Sequence, residues 1–310
     1  MYTVGDNSEG GRLPDGLTEI CGTNEYYRID TVVDKEGKLV RKMLGEGGEG
    51  TVYSGKRRSD NASVAIKHIT KIDVTDWEMV HGQQVPMEVA LLLRVSHISS
   101  VIKLLDWIER QGYFLLILEL PKPCMDLFSY ITKHGPLPEK VAQNMMVQLI
   151  HTVKACHSAG IIHRDIKDEN ILVTYDYLNN PLLKLIDFGC GAFFEEGKIY
   201  TDFLGTEMYN PPEWHQDNYY EGESGTVWSL GILLHDLVVG DIPFQNSNQI
   251  INAMIEIPQH LNLSNECHAL MNWCLQVRPQ DRPTLDQIAN HLWLKPATES
   301  HIIANGTHHS

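Results

Sequence analysis

The chain predicts an α+β fold in two lobes, a small β-rich N-terminal lobe with one main helix and a larger, mostly α-helical C-terminal lobe. Three observations carry this. Residues 26–118 alternate short β-rich runs with glycine-marked turns. From Leu127 onward the apolar spacing becomes helical. The length, 310 residues, suffices for two lobes that each bury a core. The lobes fall at 26–118 and 119–295. Residues 1–25 and 296–310 lack periodicity and are expected to be a disordered arm and tail.

Composition narrows the partners. Forty acidic against 25 basic residues give a net charge of −15, which disfavours a nucleic-acid backbone and suits a positively charged substrate. The six cysteines form no CxxC pair and read as free thiols of a reducing compartment, so the sequons at Asn61, Asn262 and Asn305 are chance matches. No basic-then-apolar leader opens the chain, and the most apolar run, Phe114–Leu118, is too short to span a bilayer. No membrane partner is expected, and location is cytoplasm and/or nucleus by default.

In the N-terminal lobe, Leu39–Leu44 leads into Gly45-Glu46-Gly47-Gly48-Glu49-Gly50-Thr51-Val52, a GxGxxGxV stretch. Glycines there let backbone amides approach phosphates, and Val52 can cover a base. By itself the pattern is weak, because glycines punctuate any hairpin. The β-rich segment Ser63–Lys67 follows, and its lysine, otherwise a solvated strand end, resembles the phosphate-holding VAIK lysine of protein kinases, which needs a carboxylate to keep it placed. Glu88 is favoured over Glu78, since it opens a helical segment from Met87 with Pro86 in the first turn. Its alternative role is a first-turn charge favoured by the helix dipole. Phe114–Leu118 reads as a fully buried strand.

In the C-terminal lobe, Pro138 opens an amphipathic helix carrying Ala142, Met145, Met146, Leu149, Ile150 and Val153 on one face, the methionines as core filling. It delivers the chain to Ile162-His163-Arg164-Asp165-Ile166-Lys167-Asp168-Glu169-Asn170, then an apolar strand, then Asp187-Phe188-Gly189. Val227–Val239, despite His235 and Asp236, reads as a buried helix.

Taken in order, these residues resemble the HRDxKxxN, VAIK, glycine-loop and DFG signatures of protein kinases. The resemblance implies the bilobal protein kinase fold and a phosphotransferase using ATP and Mg2+. Asp165 then orients the attacking hydroxyl and accepts its proton, and Lys167 neutralises charge on the transferring phosphoryl group. Lys67, paired to Glu88, holds the α- and β-phosphates. Asn170 and Asp187 are the metal ligands. The cofactor-binding set is Leu44, Gly45, Gly47, Gly50, Val52, Ala65, Lys67, Leu118, Glu119, Pro121, Leu172 and Asp187. Leu118 takes the gatekeeper position and Glu119 offers its carbonyl to the adenine amino group. Pro121 stands where a backbone N–H normally meets the ring, and proline has none. His163 reads as a core histidine packed near Phe188. Glu213, in Pro211-Pro212-Glu213-Trp214, is expected to form a buried structural pair with Arg282.

Further motifs resemble the Pim-type serine/threonine kinases over residues 38–294: the two-proline hinge Leu118–Pro123, HRDIKDEN, Tyr200-Thr201-Asp202-Phe203, Pro211–Trp214 and Val227–Leu234 ending in Gly240–Phe244. Lys167 resembles the Ser/Thr-specific class. The resemblance implies constitutive activity, a monomer, a role in growth or apoptosis control, and basic protein or peptide substrates read by Asp126, Asp168, Glu169, Asp236 and Asp241. Charge reversal at Asp126 and Asp241 is expected to raise the Michaelis constant for basic peptides. The alternative is that these five are solvated surface carboxylates.

The chain departs from that family at Glu49, where an aromatic is usual, and at Leu120, Ser129, Leu204 and Glu207; Thr226 stands where most kinases place an Asp that this family often lacks. Glu49 and Pro121 favour weaker nucleotide binding, so a pseudokinase scaffold is the competing reading. A small-molecule phosphotransferase would not be expected to carry Lys167, Glu213 and Arg282 together.

Overall fold

The computed structural model describes residues 26–34, 38–47, 50–202 and 204–295. The expected arm (1–25), the expected tail (296–310), Glu49 and Phe203 lie outside the described residues.

Strand β1 (Tyr27–Ile29) and the hairpin β2 (Thr31–Val33) and β3 (Leu39–Arg41) precede β4 (Met43–Gly47), β5 (Gly50–Arg57) and β6 (Ser63–Thr70). A second hairpin, β7 (Trp77–Val80) and β8 (Gln83–Pro86), leads into helix α1 (Met87–Arg94), then β9 (Leu104–Glu109) and β10 (Tyr113–Glu119). The main sheet runs β1-β5-β6-β10-β9, with β4 also on β5 and every pairing antiparallel.

β10 is apolar throughout because both its faces are covered. Phe114, Leu116 and Leu118 join the core that continues into the helical lobe. Leu115 and Ile117 face the other way, onto Tyr27, Val64 and Ile66. Pro86 caps α1 and does not sit inside its first turn, and Pro138 does the same for the long C-lobe helix. Lacking an N–H, each proline costs least where the helix has no partner for one.

After the hinge come β11 (Met125–Asp126), α2 (Leu127–His134) and α3 (Glu139–Ser158), then β12 (Ile161–Ile162), β13 (Ile171–Tyr175) and β14 (Pro181–Leu185). Helices α4 (Pro212–Asp217), α5 (Gly222–Val239), α6 (Ser247–Ile251), α7 (Asn265–Cys274) and α8 (Leu285–Ala289) complete the lobe. The face of α3 read from spacing is buried, including both methionines. α5 is buried nearly all round. Its Gly231 admits the next layer: a Cβ there would lie 2.8 Å from both Cys274 Cβ and Leu275 Cδ2. Glu139 joins three elements, accepting from Ser264 N–H, Ser264 Oγ and Trp293 Nε1, each at 2.6 Å. No described helix is long and apolar enough to cross a membrane, and Cys124, Cys156, Cys267 and Cys274 are free thiols.

Candidate active site

Two adjoining cavities lie between the lobes. The inner one, of ≈ 590 Å³, is walled by Leu44, Val52, Ala65, Ile102, Leu118, Leu172 and Ile186, with Lys67, Glu88, Glu119, Leu120, Cys124 and Asp187 at its edges. Its flat apolar walls suit a planar base. The outer cavity is polar, lined by Gly45, Glu46, Gly47, Gly50, Lys67, Asp165, Lys167, Asn170, Asp187, Cys190, Leu204, Gly205 and Thr206.

The glycine hairpin joins the two. Gly47 pairs with Gly50 across the turn, and Gly50 has φ +126°. A Cβ at Gly50 would meet the His68 carbonyl oxygen at 2.1 Å, so this position requires glycine. At Gly47 nothing lies within 4 Å of a Cβ, which leaves backbone open to a close-approaching ligand.

Lys67 sits in mid-sheet on β6, opposite Val52 on one side and Leu116 on the other. Its Nζ donates to Glu88 Oε1 at 3.0 Å, Glu88 Oε2 at 2.9 Å and Asp187 Oδ1 at 2.7 Å. One ammonium thus ties the sheet, α1 and the segment after β14. Burial holds the Glu88 carboxyl above its usual range, while Lys67 pulls the other way. Glu78 lies on β7, where its carboxylate accepts from the Met79 N–H. Arg94, at the end of α1, donates to the Ala159 carbonyl at 2.8 Å and docks the helix on the larger lobe.

Asp165 is held by three donors. Thr206 N–H reaches Oδ1 at 2.9 Å, while Asn170 Nδ2 and Lys167 Nζ reach Oδ2 at 2.8 and 3.0 Å. Lys167 also donates to Thr206 Oγ1 at 2.5 Å. Donors on both oxygens fix the orientation of the carboxylate. Because Asn170 Nδ2 is committed to Asp165, its amide oxygen is the end available to a cation. Asp187 lines the same cavity. One carboxylate and one amide oxygen fit Mg2+, which takes few protein ligands and completes its shell from water and substrate phosphates. Among the described residues no group of three or more His, Cys, Asp or Glu forms a protein-only metal cage.

Arg164 and Asp187 adopt left-handed backbone, with φ of +66° and +62°. Such residues cost about 1–3 kcal/mol and persist where surrounding contacts hold them. His163 supplies one such contact, its Nε2 lying 2.9 Å from the Ile186 carbonyl and its ring 4.7 Å edge-on from Phe188. This is the core placement read from the sequence.

At the hinge, Glu119 lines the inner cavity, and its carboxylate accepts from Lys184 Nζ at 2.8 Å and Lys103 N–H at 2.9 Å. Leu120 and Cys124 border the cavity, and Pro121 is not among its lining residues. An adenine analogue keeping the amino donor but lacking the ring acceptor is therefore expected to compete with ATP within about twofold of adenine. The missing hydrogen bond is expected to lower adenine affinity by roughly 1 kcal/mol relative to a hinge with an N–H. Competition isotherms measure this, and a tenfold or larger drop would show that the ring acceptor has a backbone partner.

The five carboxylates assigned to peptide recognition separate by burial. Asp126 is 1% exposed; its Oδ1 accepts the Ser129 N–H at 2.6 Å to cap α2, and its Oδ2 has no partner. Asp168 and Asp236 are also buried, and Asp236 Oδ2 has no partner. Burial pushes Asp168 up to about 6, aided by Glu169, and Asp236 up to about 8, aided by Asp168. These three are therefore not the solvated carboxylates of the alternative reading. Asp241 is exposed, and Glu169 is half-buried with its Oε2 3.4 Å from Lys167 Nζ. Charge reversal at Asp126 would remove a helix cap from the interior, so peptide recognition is better probed at Asp241 and Glu169.

Some site residues carried no sequence signal. Thr206 was passed over because a threonine in a loop has no distinguishing spacing. Ile102, Ile186, Leu120 and Cys124 reach the inner cavity only through the fold. Arg164 donates to the Cys190 carbonyl at 2.6 Å and pairs with Asp202 at 2.7 Å, clamping the segment after Asp187. Deeper in the lobe, Arg282 forms a two-pronged pair with Glu213 at 2.8 and 2.6 Å.

The protein kinase domain family matches residues 39–294. The chain is 44% identical over 262 residues to the serine/threonine-protein kinase pim-2 of Danio rerio, covering 81% of this chain and 83% of that protein. It is 39% identical to the serine/threonine-protein kinase prk-2 of Caenorhabditis elegans, covering 86% of this chain and 60% of that one. It is 37% identical to a PAS domain-containing serine/threonine-protein kinase of Mus musculus, covering 81% of this chain but 18% of the other. With the lysine–glutamate pair, the catalytic loop and the Asp187 segment assembled around one cleft, the chain belongs to the protein kinase family as a Pim-like serine/threonine kinase.

Proposed function

We propose that this chain transfers the γ-phosphate of Mg-ATP to Ser or Thr hydroxyls of Arg/Lys-rich proteins, as a constitutively active monomer of the cytoplasm and/or nucleus. A part in growth or apoptosis control is inferred through the Pim-like family alone. The observation that carries the catalytic reading is the joined set: Lys67 held by Glu88 and Asp187, facing Asp165, Lys167 and Asn170 across one cavity.

The apolar walls take the adenine, and the glycine hairpin and Lys67 take the phosphates. Asn170 and Asp187 would hold Mg2+, which would offset phosphate charge when bound. Asp165, fixed by its three donors, orients the substrate hydroxyl towards phosphorus and accepts its proton as the new O–P bond forms. Lys167 stands between Asp165 and Thr206, where it offsets charge on the phosphoryl oxygens. The Arg164–Asp202 pair supports activity without phosphorylation, because a carboxylate already supplies the anion that orders the activation segment. The exposed Asp241, the half-buried Glu169 and the −15 net charge support a basic substrate.

The test is phosphate transfer from Mg-ATP to an Arg-rich Ser peptide, beside Asp187→Ala as the inactive control. Asp241→Lys and Glu169→Lys are expected to raise the Michaelis constant several-fold with kcat little changed, and to flatten its salt dependence. Transfer no faster than the control would leave the scaffold reading in its place. Unchanged Michaelis constants would remove these two carboxylates from peptide recognition.

A further inference from the structure

The basic peptide this site would take has a counterpart in the chain itself. Lys56-Arg57-Arg58 is the only run of three consecutive Lys or Arg in the sequence, and Ser59 follows it directly. The segment closes the hairpin between β5 and β6. Lys56 and Arg57 are the last two residues of β5, and Arg58, Ser59 and Asp60 form an exposed turn. We propose that Ser59 is phosphorylated by a second copy of this chain, the basic end of β5 docking in that copy's acidic groove. The inference rests on the function proposed above.

The turn presents Ser59 well. It is exposed. Around it Arg57 Nε and Nη2 donate to Asp60 Oδ1 and Oδ2 at 3.0 and 2.7 Å, the Ala62 N–H also reaches Asp60 Oδ1, the Asn61 N–H reaches the Arg57 carbonyl, the Arg57 N–H reaches the Ala62 carbonyl, and the Arg58 N–H reaches the Tyr26 carbonyl. The Arg57–Asp60 pair is solvent-exposed on both sides, so Arg57 is readily exchanged to another carboxylate. Three cross-strand pairings hold the basic residues: Lys56 opposite Ser63 and opposite Arg28, and Arg57 opposite Tyr27. They lie at strand ends, which open most easily. Freed there, residues 56–59 can take the extended form in which a peptide enters a groove.

Geometry makes the reaction intermolecular. β5 runs from Gly50 at the phosphate hairpin to Arg57, and at about 3.3 Å per residue this sets the turn roughly 23 Å from its own catalytic cavity. A partner is recruited by charge, since the protein is strongly acidic overall while this turn is locally basic. In the step, Ser59 Oγ forms a bond to the γ-phosphorus of ATP bound to the other copy. The bond from that phosphorus to the β,γ-bridging oxygen breaks, ADP leaves, and the hydroxyl proton passes to that copy's Asp165. The new phosphate carries roughly −1.5 to −2 charge and cancels the turn's positive excess. The modified turn then loses its attraction for the groove, so the reaction limits itself. The site lies far from the cleft, and activity on other substrates is retained.

The experiment mixes the active full-length chain with full-length Asp165→Asn as the acceptor, and reads Ser59 occupancy by mass spectrometry against time. The acceptor is expected to gain phosphate at Ser59 only when the active chain and Mg-ATP are present, with a rate that rises with concentration of the active chain. Adding Lys56→Ala and Arg58→Ala to the acceptor should slow the initial rate at least tenfold. The same two substitutions in the active chain should leave its rate on a synthetic Arg-rich Ser peptide unchanged. Phosphorylation of that peptide with Ser59 unmodified overturns this inference and leaves the proposed function standing. Ser59 phosphate that forms at the same rate without the basic residues also overturns it. Failure on both the peptide and Ser59 removes the proposed function and this inference together.

Discussion

Lys67→Met lowers kcat for peptide phosphorylation by about 10²–10³-fold, the scale on which removal of one preorganised charge from an active site is felt. The lysine contributes twice. It meets the phosphates, and it holds Glu88 and Asp187 in one place, at 2.9 and 2.7 Å. Methionine keeps the stem's packing but brings two carboxylates together without the ammonium between them. Asp187 then loses the ammonium that ties it to Glu88 and keeps the Gly189 N–H at 3.3 Å. Stability should fall less than activity, because burial already raises the proton affinity of Glu88 and a protonated carboxyl tolerates the interior. Single-turnover kinetics beside urea unfolding separate the two effects. A variant that retains more than a tenth of the original kcat would show that Lys67 is not central to phosphate transfer.

Arg282→Met destabilises the helical lobe by roughly 3–5 kcal/mol, the cost of leaving a buried charge without its partner. Glu213 is 6% exposed, and Arg282 provides both its close contacts. The same guanidinium also donates to the carbonyls of Gln276 at 2.8 Å, Ser224 at 3.1 Å and Val277 at 3.1 Å, and it lies 5.0 Å from the Trp228 ring. Its loss therefore loosens the contacts among α4, α5 and the segment before α8. The double variant Glu213→Gln with Arg282→Met should recover part of the stability, since no carboxylate is then stranded. Urea unfolding followed by tryptophan fluorescence measures both. A loss below about 1 kcal/mol for Arg282→Met would mean that water or another donor replaces the guanidinium.

Much of this architecture was legible because it is encoded over short distances. Apolar spacing marked α3, two-sided burial marked β10, and dense motifs marked the residues at the cleft. The long-range partners Lys67 with Glu88 and Glu213 with Arg282 were legible only through family resemblance, since spacing does not specify a contact 69 residues apart. Pro121 was placed at the nucleotide site by its offset from the strand end, and the fold adds Leu120 and Cys124 to the walls of that cavity.

The carboxylates mark the boundary most clearly. An aspartate reads alike in sequence whether it is solvated or enclosed. The sequence by itself determined the lobes, the order of the catalytic set and the acidic character of the chain, because these depend on local pattern and composition. Only the tertiary structure decided that Asp126 caps a helix from inside, that Asp236 is buried beside Asp168 with its proton retained up to about pH 8, and that Asp241 faces water. It also decided that Thr206 completes the grip on Asp165 and that Asp202 meets Arg164. Burial, and the dielectric that comes with it, is set by packing between distant segments. A residue's proton affinity and its reach toward a substrate therefore follow from the folded neighbourhood, which no short stretch of sequence contains.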